Sequence, residues 1–273
     1  MPMRRAHFWV LGMLVVTVIA FWPGYFSKLG GAKYHIHVHA IGAMLWTVLV
    51  AGQSWSIAAG QRSLHRTAGL ASFVAFPLFL VGGMLSYQAE AVPLVATPDS
   101  PDNLFIGPFG FFDGLANIGF AVLVHGGLKY RRNVQLHARY MVATLLFLVC
   151  PLLFRVLPRL LPILDSSTPE TAARFAYAMA AGNLGALLLA VWLWWQAPKW
   201  GRPFAIAGGF IVAQQVLFAT VGTTAAWTDL FAQIVGINTG LLVIATLAAS
   251  AAILWHGWVA GNAPVRQAAA AAE

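Results

Sequence analysis

Three histidines alternate in "KYHIHVHAIGAMLWTVLVAGQ", residues 33–53, at the mouth of a stretch apolar enough to cross a bilayer. A helix turns 100° per residue, so residues four apart share a face. His35 and His39 therefore share one face and His37 points elsewhere. Two imidazoles on one face suit Zn or Cu, so His35 and His39 are candidate metal ligands. The plainer reading makes His35 and His37 wet interfacial histidines. Seven residues beyond His39 stands Trp46, and seven beyond that Gln53, so one polar-aromatic stripe is expected to face the bundle interior. Gly42 beside it would let a second helix come close.

Two charges fall inside other apolar runs. Asp113 and Arg155 each lie about five residues from the outer end of their spans, roughly 8 Å deep at 1.5 Å per residue. Intramembrane charge is costly and marks a site by default. The expectation is an Asp113–Arg155 ion pair near His39, with Asn117 on the Asp113 face and Asn183 joining it. A purely structural lock is the alternative. The remaining histidines gather at the other side: His65 in "SLHRTAGLAS", His137 in "QLHARYM", His125, His256 and His7. A histidine followed by an arginine suits the headgroup interface. It also suits haem b, with histidine on iron and arginine near a propionate, which makes His39, His65, His125 and His137 candidate cofactor ligands.

The elements that must position these groups follow from composition. Of 273 residues, 60% are hydrophobic and 9% charged, against about 25% charged in a soluble domain. Mean hydropathy is +0.75. The chain therefore reads as all-α: one polytopic transmembrane helix bundle over 1–262, followed by a flexible tail, 263–273. Spans need roughly 20 apolar residues, and eight are expected at 7–27, 34–58, 67–89, 108–129, 137–161, 169–196, 203–221 and 232–258. Because "VGTTAAWTDLF" alone separates the last two, seven spans with a re-entrant piece is the variant. The first run has the charged start of a signal peptide but no small-x-small cleavage site, so it reads as a retained helix. Thr168 and Pro169 should start the sixth span, Pro77 and Pro151 should kink the third and fifth, and the loop 90–107 could fold over the outer mouth.

A net charge of +8 and a pI near 10.2 do not point to nucleic acid, because the cations sit in short loops where they set topology. With both termini in the cytoplasm, the inner segments hold Arg4, Arg5, Arg62, Arg66, Lys129, Arg131, Arg132, Arg139, Lys199, Arg202 and Arg266. The outer loops hold Glu90, Asp99, Asp102, Asp165, Glu170 and Asp229. This satisfies the positive-inside rule and points to a bacterial inner membrane. The single cysteine, Cys150, rules out an intramolecular disulfide and a Cys-rich metal motif.

Two blocks carry a resemblance. "HVHAIGAMLWTVLVAGQSWSIAAGQRSLHRTAGLAS" and "RRNVQLHARYMVATLLFLVCPLLFRV" together resemble an uncharacterised family of bacterial multi-pass membrane proteins. The resemblance covers about a quarter of the chain and brings no activity with it. Likeness to di-haem b-type membrane cytochromes is slighter: Gln53 stands where the inner histidine opposite His39 would be, and Asp113 where an outer histidine opposite His125 would be. At most one haem, held by His65 with His137 or by His125 with either, is compatible.

Three functions follow as expectations. One is a haem- or metal-binding redox protein with a redox partner. Another is a small-solute or proton-coupled transporter, with His39, Asp113, Arg155, Gln53, Gln214 and Asn238 along a polar path. The third is an accessory subunit of another membrane protein. A membrane hydrolase finds no HExxH or GxSxG signature in a usable place.

Overall fold

A computed structural model describes Met3 and residues 5–262, the side chain of residue 102 excepted. Arg4, Arg266 and the expected flexible tail 263–273 lie outside the described residues. All described elements are helical: α1 (Ala6–Phe21), α2 (Tyr34–Ala58), α3 (Arg62–Gly69), α4 (Ser72–Ala96), α5 (Ile106–Lys129), α6 (Val134–Ala143), α7 (Leu146–Leu160), α8 (Arg174–Trp195), α9 (Arg202–Ala219), α10 (Ala225–Ala232) and α11 (Thr239–Ala260), with short 3₁₀ turns between them.

Seven of these segments are long and apolar enough to cross a membrane: 34–58, 72–96, 103–129, 134–160, 174–195, 202–223 and 239–260. The eight-span expectation falls short at its first member. The helix α1 has 16 residues, about 24 Å at 1.5 Å per residue, against roughly 30 Å of hydrocarbon. Its ladder ends before Pro23, and a 3₁₀ turn, Phe26–Gly31, follows. The last two spans, where the variant was placed, are both complete and are joined by α10. We call the two ends of the bundle outer and inner after the charge-based expectation.

Apolar surface faces outward where lipid would lie, as at Val74, Leu184, Leu188, Leu241 and Ile244. Association of such helices relies on close packing rather than on expelling water. The principal pairings are α2 with α4, α7 with α8, α5 with α9 and α8 with α9, while α11 covers α4 and α5, and α1 covers α2 and α7. Small residues make the tightest of them. A Cβ added to Gly42 would lie 2.8 Å from the Cα of Phe79, and one added to Gly82 would lie 2.5 Å from the Cα of His39.

Several local expectations are corrected. The α4 ladder runs on to Ala96 through Glu90 and Pro93, so the outer connection shortens to 97–105. The helix α10 packs over the outer ends of α4 and α5. Trp227 stacks on Phe111 (3.7 Å between ring centroids), and Phe231 lies against Tyr87 (4.7 Å). The Trp227 indole N–H donates to the Gly107 carbonyl (2.7 Å). Thr168 does form a capping box, but it starts a 3₁₀ turn, Pro169–Thr171, and α8 begins only at Arg174. In the fifth span the ladder departs from α geometry at Thr144–Leu145, before Pro151. There Leu145 N–H reaches back three residues to Val142 O (3.1 Å), and Leu148 to Leu145 O (3.0 Å).

Gly42→Ala and Gly82→Ala should each lower the melting temperature of the detergent-solubilised protein, since the added methyl meets backbone that cannot swing aside; overpacking of this kind costs about 1–3 kcal/mol. Gly12→Ala, with open space around it, should not. Equal melting of all three variants would refute the close crossing of α2 and α4.

Candidate functional site

The outer half of the bundle collects ionisable groups from four helices. His35 and His39 come from α2, Tyr87 and Glu90 from α4, Asp113 and Asn117 from α5, and Cys150 and Arg155 from α7. Asp113 lies within electrostatic range of Glu90, Tyr87, Cys150 and Arg155, and Arg155 within range of His39. In the sequence Glu90 reads as an outer-loop acid because the apolar run fades at 89, although an alanine-rich helix continues past it; Tyr87, inside the expected third span, carries no charge to draw notice.

The expected direct ion pair between Asp113 and Arg155 is not formed. Arg155 instead donates one N–H to the carbonyl of Pro151 (2.9 Å), a group of its own helix. Its guanidinium carbon lies over the rings of Phe21 (4.3 Å) and Phe154 (4.2 Å). Asn117 likewise turns back on its own helix, donating to the Asp113 carbonyl (2.9 Å). On α2 the face-sharing expectation holds: His35 and His39 each bury an Nδ1 that has no partner, while His37 pairs with the Tyr25 hydroxyl (3.0 Å). No group of three or more His, Cys, Asp or Glu suited to a metal ion exists among the described residues, which leaves His35 and His39 as two potential ligands without a third.

Beneath this cluster the bundle is dry. Phe79 touches the His39 ring (5.8 Å) and stacks on Phe120 (4.2 Å), which contacts Phe76 (5.8 Å) and Trp46 (5.0 Å). All four members of this aromatic plug are buried. Trp46 donates to Thr144 Oγ1 (2.9 Å), which donates to Met141 O (2.6 Å). Burial of an indole needs such an acceptor for its N–H. The stripe His39–Trp46–Gln53 therefore exists on α2, but each member serves a different neighbourhood. Gln214 and Asn183 lie elsewhere, donating to Phe112 O (2.8 Å) and Gln215 Oε1 (3.1 Å), and Asn238 caps α11.

At the inner side the histidines form two pairs rather than one group of four. His125 Nε2 and His256 Nδ1 share a hydrogen bond (2.8 Å) between α5 and α11. The rings of His65 and His137 stand 6.2 Å apart at 85°. The His137 Nδ1 lies 2.8 Å from Gly127 O; a carbonyl only accepts, so Nδ1 carries the proton and Nε2 is bare. With its amide oriented to satisfy every neighbour, Gln53 donates to His65 Nδ1 (2.5 Å) and His65 O (2.9 Å), and accepts from Gly69 N–H (3.0 Å). His65 therefore holds its proton on Nε2, the opposite tautomer to His137. Arg139, expected near a propionate, spends a donor on Gln135 Oε1 (2.6 Å).

No family model, curated protein or solved structure matches the chain.

Burial also holds the His65 imidazole below the usual histidine range. Its charged form is disfavoured in the fold, so this contribution to stability is present above the ordinary histidine range and is lost as pH falls. Nitrogen NMR of ¹⁵N-histidine protein should find His137 as the Nδ1–H tautomer and His65 as Nε2–H, less than half protonated at about pH 6.5, the ordinary histidine midpoint. Gln53→Leu should erase the His65 preference. An Nδ1–H signal from His65 in the parent protein would contradict the Gln53 latch.

Proposed function

We propose that the chain is a proton-coupled small-solute carrier of the bacterial inner membrane, with both termini cytoplasmic. The observation that carries this reading is the outer cluster. Two carboxylates and one guanidinium, from three spans, sit above a closed aromatic plug without pairing directly. A structural lock would be expected to bring Asp113 and Arg155 into contact, because an unpaired charge in an apolar medium is costly. Here the donors of Arg155 and the carboxylate oxygens of Asp113 are left largely free for a ligand. A plug of Trp46, Phe76, Phe79 and Phe120 below it is the arrangement of a carrier closed on one side rather than of an open pore.

Charge counting supports the coupling. Arg159 also acts on Arg155 but is exposed and turned to the Ile19 and Ala20 carbonyls; without it, Glu90 and Asp113 against Arg155 leave one excess negative charge, and in a low-dielectric site a proton is the natural compensation. Two carboxylates sharing a site titrate as a pair, not as individuals.

Haem or metal binding is the second reading. It is favoured by the Nδ1–H to carbonyl bond of His137, the orientation that a ligating imidazole takes. It is opposed by His65, whose Nδ1 receives a hydrogen bond where a ligand histidine would donate one. A visible spectrum of purified protein, oxidised and reduced, decides it: a Soret band that shifts on reduction would replace the carrier reading with a redox one.

The carrier reading is tested in proteoliposomes loaded with a pH dye and challenged with sugars, amino acids, amines and carboxylates. At least one class should acidify the lumen on addition, and Asp113→Asn should abolish the signal while the protein still elutes as a single species. If no class moves protons, the accessory-subunit role takes its place.

A further inference from the structure

The outer site also indicates what kind of solute it is built for. We propose, on the carrier reading above, that the solute is a small monocarboxylate held on the edge of the Arg155 guanidinium, and that its binding brings one proton onto the Glu90–Asp113 pair.

The first support is the way Arg155 is held. A guanidinium carries five N–H donors in one plane. Two aromatic rings pack against this one, Phe21 from α1 and Phe154 from its own helix. One edge donor goes to Pro151 O. What remains for a ligand is the rest of the edge, and a planar edge of N–H donors matches a carboxylate in two parallel bonds. The two rings and the Pro151 bond hold the guanidinium before anything binds, so less ordering is needed on association.

A second support comes from α2. The buried, unpartnered Nδ1 atoms of His35 and His39 lie on one helix face, and His39 is within electrostatic range of Arg155. In their Nδ1–H forms both donate, which suits a ligand rich in acceptors. The site is also confined. Phe79 and Gly82 close it below His39, and α10 covers Tyr87 through Phe231.

The third support is charge. The groups facing Asp113 are Tyr87 and Glu90 from α4 and Cys150 and Arg155 from α7; His39, with His35 beside it, lies within range of Arg155 from α2, and so does Arg159, which is exposed and spends its donors on Ile19 O and Ala20 O of α1. With the histidines, Tyr87 and Cys150 neutral, the site without solute is neutral when Glu90 and Asp113 share one proton. Adding a monoanion restores neutrality only if a second proton enters. The loaded site then pairs Arg155 with the solute and holds both carboxyls neutral, so anion and proton cross together without net charge. A cationic solute would leave the Arg155 edge unfilled and be repelled by it, and a neutral sugar would give the buried charges no role.

The test is calorimetric titration of the full chain in nanodiscs with acetate and L-lactate, with acetamide and lactamide as uncharged counterparts, in two buffers of different ionisation heat. The carboxylates should bind and the amides should not, with one proton taken up per anion. Affinity should fall about tenfold per pH unit above the titration of the pair, the slope of a one-proton linkage. Arg155→Gln should weaken carboxylate binding about tenfold or more, as loss of a charge-assisted contact does, and Arg155→Lys should lie between. Because Arg155 also packs on Phe21, a second variant guards against misfolding. Glu90→Gln with Asp113→Asn should still bind acetate, but with no proton uptake and no pH slope.

Amides binding as well as carboxylates, binding without proton uptake in the parent protein, or inorganic phosphate binding as tightly as acetate would each overturn the proposal. Vesicle acidification by a neutral or cationic solute without carboxylate binding would overturn it too, while leaving the carrier reading intact. Proton-linked carboxylate binding without any transport would support this site and refute the carrier.

Discussion

The crossing of α2 and α4 fixes most of what happens around it. With Gly42 under Phe79 and Gly82 under His39, the two backbones meet almost without side chains between them. Lipid tails are as apolar as leucine, so expelling them gains little, and this kind of surface fit must hold the helices together. It also sets direction. The ring of His39 rests near Phe79, with its Nδ1 buried and unpartnered. Phe79, displaced from the same crossing, goes inward onto Phe120.

That single register separates the bundle into three levels along α2. His39 belongs to a charged outer cluster, Trp46 to a dry aromatic layer and Gln53 to the inner loop helix α3. The levels are seven residues apart, about 10 Å each at 1.5 Å per residue. The middle layer matters electrically, because it separates the charges above it from the histidine pairs below. Low dielectric strengthens whatever the outer groups do to one another. The arrangement of three ionisable groups that do not touch is therefore a stored imbalance, not a neutral detail.

How much of this was legible in the sequence depends on the length scale. Hydropathy alone located every spanning segment, since a run of about 20 apolar residues matches the bilayer and outlasts most buried core helices. It misjudged ends. The run at 7–27 contains Pro23, and α1 stops before it; the run at 67–89 stops short of Glu90, yet α4 continues. Periodicity correctly put His35 with His39 and strung His39, Trp46 and Gln53 along one face. It could not show which partner each finds, because that depends on α4, α6 and α3, whose rotations no pattern encodes. Thr144 gave no signal at all, although it accepts the indole hydrogen bond of Trp46. Depth brought Asp113 and Arg155 to the same level but could not show contact, and the guanidinium's preference for Phe21 and Phe154 follows from side-chain geometry.

Thr144 ties the middle layer to a weak point in the backbone. The turn at Thr144–Leu145 is the place where the fifth span tightens to i→i−3 bonding, a geometry poorer than the α ladder on either side. Its hydroxyl holds the Trp46 indole, and Arg155 lies three turns farther along the same span. Rotation of α7 about this turn would move Arg155 against the outer cluster while straining the Trp46 bond, worth about 1 kcal/mol. The latch of the plug and the cation of the charged site thus lie on one span, on either side of that tightened turn. Any coupling between the site and the layer beneath it has a covalent path as short as those three turns of helix.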